Sequence, residues 1–368
     1  MSDKKNSVPI IRFKEFQDNN VWEQYKLIEL IDTEFKGRAK AEMVGRESLY
    51  LDAYYLNSGE PSYVDSPADV NEDDVLILWD GSQAGTVYHG FKGALGSTLK
   101  AYNPKYSGSF LYYYLVKNQR KIFDQYRTPN IPHVTKTFTE EFIMCIPSME
   151  EQAKIGFFFK QLDQLITLQQ RKLKKLQNIK KAYLNEMFPT DGELIPRRRF
   201  ARFYDDWEQC KIGDILEINS GRNYKHLSEG NIPVYGTGGY MCGVNDMLSD
   251  VDAIGIGRKG TINKPQLLKA PFWTVDTLFF MTIKERTSLL FCYFLAINIP
   301  WKKFDESTSV PSLSKTNIDE ITITIPSLDE QIKIGNFFKQ LDELITLQQQ
   351  KIKKLQNIKK AYLNEMFI

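Results

Sequence analysis

Five stretches of this chain mix basic, glycine and aromatic residues in a way that suits nucleic acid. They are Lys36-Gly-Arg38-Ala-Lys40 with Arg46, Gly221-Arg222-Asn223-Tyr224-Lys225, Tyr235-Gly-Thr237-Gly-Gly-Tyr240, Gly257-Arg258-Lys259-Gly260, and Trp301-Lys302-Lys303. Glycine lets backbone approach a phosphate closely, while Arg, Lys and Asn neutralise phosphates or read base edges. Any one of these loops could be ordinary solvated surface. Arg38 and Arg222 carry more weight, because Gly-Arg recurs at the same place in two otherwise different stretches.

Other chemistries find no support. Gly255-Ile-Gly257-Arg-Lys-Gly260 has dinucleotide-loop spacing, but such a site needs a helix to start there, and Pro265 and Pro271 follow. Asn103-Pro104-Lys105-Tyr106 resembles a methyltransferase loop without its second proline, and no Walker-type phosphate loop occurs. His89, His133 and His226 have no ligand-spaced partners, and the four cysteines form no C-x-x-C pair. We therefore expect no catalytic residues, no metal and no cofactor in this chain.

The elements that must position these loops follow from a repeat. Residues 146–188 and 325–367 are identical at 36 of 43 positions, at a constant offset of 179. Upstream the match is weaker. Arg12-Phe13-x-x-Phe16 corresponds to Arg199-Phe200-x-x-Phe203, Trp22-Glu-Gln to Trp207-Glu-Gln, and Gly37-Arg38 to Gly221-Arg222. The chain is thus two halves, each a variable segment followed by a nearly invariant one. The segments are 1–145, 146–190, 191–324 and 325–368, with the connector beginning at Pro189.

The invariant segments read as long helices. Ser148 with Glu151, and Ser327 with Glu330, have capping-box spacing. A heptad seam runs through Phe159, Leu162, Ile166, Gln169, Leu173, Leu176, Lys180, Tyr183 and Met187. In the second copy it continues through Phe338, Leu341, Ile345, Gln348, Ile352, Leu355, Lys359, Tyr362 and Met366. Two such stripes most economically bury each other, over roughly 43 Å from Phe159 to Met187 at ~1.5 Å per residue. Gln169 and Gln348 should face inward and need hydrogen-bond partners. Periodicity leaves parallel and antiparallel pairing open. The variable segments read as strands near 71–80, 251–257 and 278–284, with one late helix each near 108–123 and 287–299. The fold class is α+β: two mixed domains separated by two repeated helices.

At 368 residues, 42% hydrophobic and 26% charged, the chain is an ordinary globular one of two or three domains. The net charge of +2 confines any basic surface to local patches. No apolar run is long enough for a membrane span, and MSDKKNSVPIIRF lacks a signal-peptide core, so a cytoplasmic location is expected.

The layout resembles the specificity (S) subunit of type I restriction–modification enzymes over essentially the whole chain. Ile146-Pro-Ser-Met-Glu-Glu-Gln152 and Ile325-Pro-Ser-Leu-Asp-Glu-Gln331 look like that family's domain-to-helix junction, and Trp22-Glu-Gln and Trp207-Glu-Gln like the start of its domains. Tyr235-Gly-Thr-Gly-Gly, Gly257-Arg-Lys-Gly and Trp273-Thr-Val-Asp-Thr277 look like its recognition-domain core. The first domain departs, with Asp80-Gly-Ser-Gln-Ala-Gly85 and Gly93-Ala-Leu-Gly-Ser-Thr98. The resemblance implies two target-recognition domains, each reading half of a bipartite site in double-stranded DNA. It implies an antiparallel, pseudo-twofold coiled coil acting as ruler and docking surface. It also implies two modification subunits with S-adenosylmethionine, and restriction subunits using ATP and Mg2+. A coiled-coil adaptor that does not bind DNA is the alternative, and salt-dependent DNA binding separates the two.

Overall fold

A computed structural model describes residues 8–18, 21–130, 132–190 and 193–368. The charged start at residues 1–7, and Asp191-Gly192 of the connector, lie outside them. The chain divides into two compact units, Met1–Gln170 with Lys351–Ile368, and Arg171–Gln350. Each unit holds one variable domain, part of the helix that follows that domain, and part of the other long helix.

In the first half the order is β1 (Glu23–Lys26), β2 (Ile31–Lys36), β3 (Val44–Leu51), α1 (Ala53–Leu56), β4 (Tyr63–Val64), β5 (Val75–Leu78), β6 (Val87–His89), β7 (Ala94–Leu95) and β8 (Leu99–Pro104). Then come α2 (Gly108–Lys117), α3 (Gln119–Gln125), α4 (Phe138–Glu141), β9 (Ile143–Ile146) and the long α5 (Met149–Met187). Strands form a sheet of order β2-β8-β5-β6, a second of order β4-β3-β7, and the pair β1-β9.

The second half has β10 (Glu208–Lys211), α6 (Ile212–Ile215), β11 (Leu216–Ser220), β12 (Glu229–Gly236), β13 (Gly239–Val244), β14 (Ala253–Gly257), β15 (Gln266–Leu268), β16 (Trp273–Thr274) and β17 (Leu278–Ile283). Helices α7 (Leu289–Asn298) and α8 (Lys315–Glu320), strand β18 (Thr322–Ile325) and the long α9 (Leu328–Glu365) complete it. Its sheets, β11-β17-β14-β15, β13-β12-β16 and β10-β18, repeat the first half strand for strand. Two domains with little shared sequence therefore have one topology.

Local signals explain most of these elements. β5 is buried at every residue, as a central strand of apolar composition should be. Ser107 and Ser288 cap α2 and α7 by accepting the N–H of Phe110 and Phe291. The single helix expected near 108–123 is broken at Asn118, whose side chain donates to Tyr114 O at 2.9 Å and so competes with the helical ladder. No helix follows Gly257. A turn with Gly260 at φ +91 leads to β15, as the prolines require.

The recurrent I-P-S-x-x-E-Q motif has a structural cause in both copies. The buried Gln152 and Gln331 amides donate to Pro147 O (3.0 Å) and Pro326 O (2.9 Å). Ser148 Oγ accepts the Glu151 N–H at 3.4 Å, but the reciprocal half of the expected capping box is replaced. Both Glu151 oxygens accept from Arg12 (2.8 and 2.6 Å), and both Glu330 oxygens from Arg199 (2.9 and 2.7 Å). Each carboxylate is 1% exposed, so pairing with a bidentate guanidinium outweighs a weak bond back to the cap. The arginine near the start of each variable segment is thereby clamped to the helix that follows that segment. Gly156 and Gly335 make the next contact possible. A Cβ there would lie 2.3 Å from Ser109 Oγ and 2.8 Å from Leu290 Cβ, so only glycine lets α2 and α7 start this close.

In the first unit, early α5 runs antiparallel to the end of α9. Asp163 pairs with Lys359 at 2.6 Å, while Phe159 packs on Phe367 and Phe158 on Tyr362. In the second unit, Asp342 pairs with Lys180 at 2.5 Å, Phe338 packs on Phe188 and Phe337 on Tyr183. Tyr113 of α2 donates to Asp163 at 2.8 Å, and burial together with that carboxylate pushes its hydroxyl pKa up, so it stays a donor. The seam lysines fit this orientation. In a parallel, in-register pair Lys180 would face Lys359, and like charges would repel. Antiparallel, each meets an aspartate. The heptad seam is buried or half-buried at Leu162, Ile166, Leu173, Leu176, Leu341, Ile345, Ile352 and Leu355; Gln169 is 4% exposed and Gln348 half-buried.

Candidate nucleic-acid interface

The Gly-Arg positions sit at equivalent strand ends. Gly37 N–H donates to Leu99 O at 3.0 Å, and Gly221 N–H to Leu278 O at 3.1 Å. A Cβ would come within 2.3 Å of Gly96 O at the first and 2.0 Å of Val275 O at the second. Glycine is thus required by close backbone approach, and the arginine after it is carried to the rim. Arg222 is held at its backbone from both sides, its N–H donating to Thr274 O and its carbonyl accepting from Trp273 Nε1, each at 2.8 Å. Its side chain is exposed.

In the second domain three separate stretches converge. Asn223, Tyr224, Lys225, Thr237 and Tyr240 line an open cleft of about 610 Å³ together with Asp276 and Thr277. Tyr235 and Tyr240 pair edge-on, with ring centroids 6.5 Å apart. The Arg258 and Lys259 N–H groups donate to Thr277 O at 2.8 and 3.3 Å, which ties the basic turn to the cleft wall. Asn223 Oδ1 accepts the Lys225 N–H at 3.0 Å. Sequence reasoning passed over Asp276 and Thr277 as contact residues although they sit in a noted motif. It also missed Gln266, whose amide donates to Gly236 O (2.9 Å) and Thr237 O (3.4 Å) and so holds the glycine hairpin. A lone glutamine in a strand carries no sequence signal for that role.

Lys302 and Lys303 lie elsewhere, on the 3-10 turn Trp301–Phe304, and Lys303 lines a different cleft beside Phe188 and Leu194. The basic dipeptide was noticeable, but Trp301 is 1% exposed and anchors the turn to the core rather than to the rim cluster.

The first domain presents other chemistry on the same frame. β3 pairs with β7 at Leu51–Leu95 as β12 pairs with β16 at Tyr235–Thr274. After that point β12 turns through glycines into β13, whereas β3 runs into the Asp52-capped α1. Trp79 and Asp80 N–H donate to Thr98 O (2.8 and 3.1 Å), and Gly81 N–H to Pro132 O (2.9 Å). In the second domain the same pattern is made by Arg258, Lys259 and Gly260, the last to Pro311 O at 2.7 Å. Trp79-Asp80 therefore stands where Arg258-Lys259 stands. Lys36 is paired with Asp80 at 2.7 Å, and Arg38 lies within electrostatic reach of Asp69. Lys40 and Arg46 are exposed, and the Arg46 N–H donates to Asp65 at 2.9 Å. Among the described residues no carboxylate forms an ion pair with Arg222, Lys225, Arg258 or Lys259.

The remaining candidates for chemistry have structural work. Asn103 donates to Asp74 at 2.8 Å, and His89 stacks on Tyr112 at 5.5 Å. Among the described residues no three His, Cys, Asp or Glu side chains group to hold a metal, and no helix is long and apolar enough to cross a membrane.

A duplicated frame with variable rims and repeated helices is the architecture of a DNA-specificity protein. The family model for the type I restriction modification DNA specificity domain matches residues 19–178 and 204–357, and the chain belongs to that family. It is 25% identical over 405 residues to the type I restriction enzyme MjaVIII specificity subunit of Methanocaldococcus jannaschii, covering 96% of this chain and 94% of that one. The S subunit of a type I restriction–modification system from M. genitalium has the same fold, with a TM-score of 0.71 at 18% identity over 98% of this chain and 99% of that one. A chain from a structure concerned with complex assembly and conformational transition of the type I R-M system matches with a TM-score of 0.55 at 14% identity, over 94% and 97%. The molecule is a DNA-recognition subunit of the type I restriction–modification class.

Proposed function

We propose that this subunit reads a split, asymmetric site in double-stranded DNA, one half per variable domain, with the long helices setting the gap between halves. The observation that carries this is one domain topology used twice with unlike rim residues, each copy joined to a nearly identical helix. Unlike rims read unlike half-sites, and like helices give one spacing. Lys36, Arg38, Lys40, Arg46, Arg222, Asn223, Tyr224, Lys225, Tyr235, Thr237, Tyr240, Arg258 and Lys259 are the contact residues in this reading, with Asp276 and Thr277 added. The chain itself is non-catalytic and acts in the cytoplasm. Adenine methylation with S-adenosylmethionine, and cleavage with ATP and Mg2+, belong to partner subunits docked on the scaffold. The two repeated helices offer two equivalent surfaces, hence two modification subunits per chain.

Methylome sequencing of cells expressing this chain with its modification partner tests the reading. A non-palindromic motif in two parts with a fixed gap is expected. A palindromic motif, or a freely variable gap, would overturn it. A mass for the purified complex with one modification subunit would overturn the stoichiometry.

A further inference from the structure

Asp80 is an anomaly for a DNA-facing rim. It occupies the place of Lys259 by matched backbone bonds, follows a strand end beside the Gly-Arg loop, and is 41% exposed at its side chain. A carboxylate there repels phosphate, so the position suits a groove edge better than the backbone of the duplex. Lys36, at the end of β2 and separated from β5 by β8 in the sheet, holds its Nζ 2.7 Å from Asp80 Oδ2 and is 50% exposed. The pair thus presents a cationic donor directly beside an anionic acceptor, both open to solvent.

Resting on the reading that this rim contacts DNA, we propose that the Lys36–Asp80 pair reads one G·C base pair in the half-site of the first domain. In the major groove, guanine shows the acceptors O6 and N7, and cytosine the N4 amine as donor. O6 and that amine are hydrogen-bonded to each other, so acceptor and donor lie side by side. An ion pair with donor and acceptor side by side is the complement of that edge. Lys36 donates to O6 and N7, and Asp80 accepts from N4. An A·T pair has its two acceptors, adenine N7 and thymine O4, on opposite sides of the adenine amine, so with Asp80 on that amine the lysine reaches only one of them, and the edge suits the pair less well. Lys36 also keeps the rim neutral here, which lowers the cost of bringing a carboxylate near the phosphates. The second domain, with Arg258-Lys259 at the same place, uses its turn for phosphate and does not read a base there.

The test is selection of bound duplexes from a randomised pool by the full chain complexed with its modification subunit, for wild type, Asp80→Ala and Asp80→Lys. Wild type should prefer G·C at one position of one half-site by about tenfold or more, the range of a good direct contact. Asp80→Ala should relax that position to within about threefold while all others hold. Asp80→Lys should relax it too and raise affinity for unrelated duplex. An unchanged preference in Asp80→Ala, or relaxation at an A·T position, overturns the inference while leaving the split-site reading intact. Failure of wild type to select any split motif overturns the underlying reading itself.

Discussion

The two variable domains share a frame and differ at its rim. Their sheets have the same strand order, their arginines clamp the same helix glutamate, and their glycines meet the same backbone oxygens. At the rim the second domain carries Arg222, Lys225, Arg258 and Lys259, none in an ion pair with a carboxylate among the described residues, and a cleft of about 610 Å³ lined by Lys225 and Asp276. The first carries an ion pair where the second has Arg258-Lys259, and a short helix where the second has a glycine hairpin. Frame and reading surface are therefore separable. Buried pairing and close glycine contacts tolerate few substitutions, whereas exposed rim residues can change with little cost to the fold.

The shared frame can be broken most strongly at its clamps. Arg12→Ala and Arg199→Ala each leave a buried carboxylate unpaired, and each should destabilise its unit by about 3–5 kcal/mol. Chemical denaturation followed by circular dichroism measures this, and a cost in one domain without the other would refute a common frame. A second perturbation sharpens the contrast between rims. Arg258→Ala with Lys259→Ala should lower DNA affinity and reduce the slope of log affinity against log salt by about 2, near 0.9 per lost phosphate contact. Lys36→Ala should change that slope by well under 1, since Asp80 already compensates its charge; salt titrations of binding for both variants decide it.

A smaller effect is expected at the hairpin. Gln266→Ala removes the amide that holds Gly236 and Thr237, at a stability cost of about 1 kcal/mol. Selection of bound sequences should show weaker discrimination in the second half-site and none lost in the first. The least effect lies in the helices. A double-mutant cycle of Asp163→Asn with Lys359→Met should give a coupling of about 0.5–1 kcal/mol, as for a half-exposed pair, and the cycle of Asp342→Asn with Lys180→Met should match it. A coupling near zero in both would remove the seam charges as the cause of antiparallel pairing.

Much of this was legible in the residues alone. The repeat at offset 179, the heptad seams and the Gly-Arg correspondence are local or periodic signals, and a side chain's burial on a regular helix follows from its position in the period. The apolar strands at Val75–Leu78, Ala253–Gly257 and Leu278–Ile283 are signals of the same kind. Lys180 and Lys359 are charged positions in a largely apolar seam; Asp163 and Asp342 are outside the core positions of the heptad and meet them in the antiparallel arrangement. Likewise Glu151 read as a helix cap, and its guanidinium partner is 139 residues away. Pairings at such separation leave no periodic trace. Asp80 taking the place of Lys259, Gln266 bracing a hairpin 30 residues away, and Lys303 leaving the rim cluster were all decided by how strands far apart in the chain come into register. Spacing dictates which face a residue occupies; only the folded backbone dictates what stands opposite.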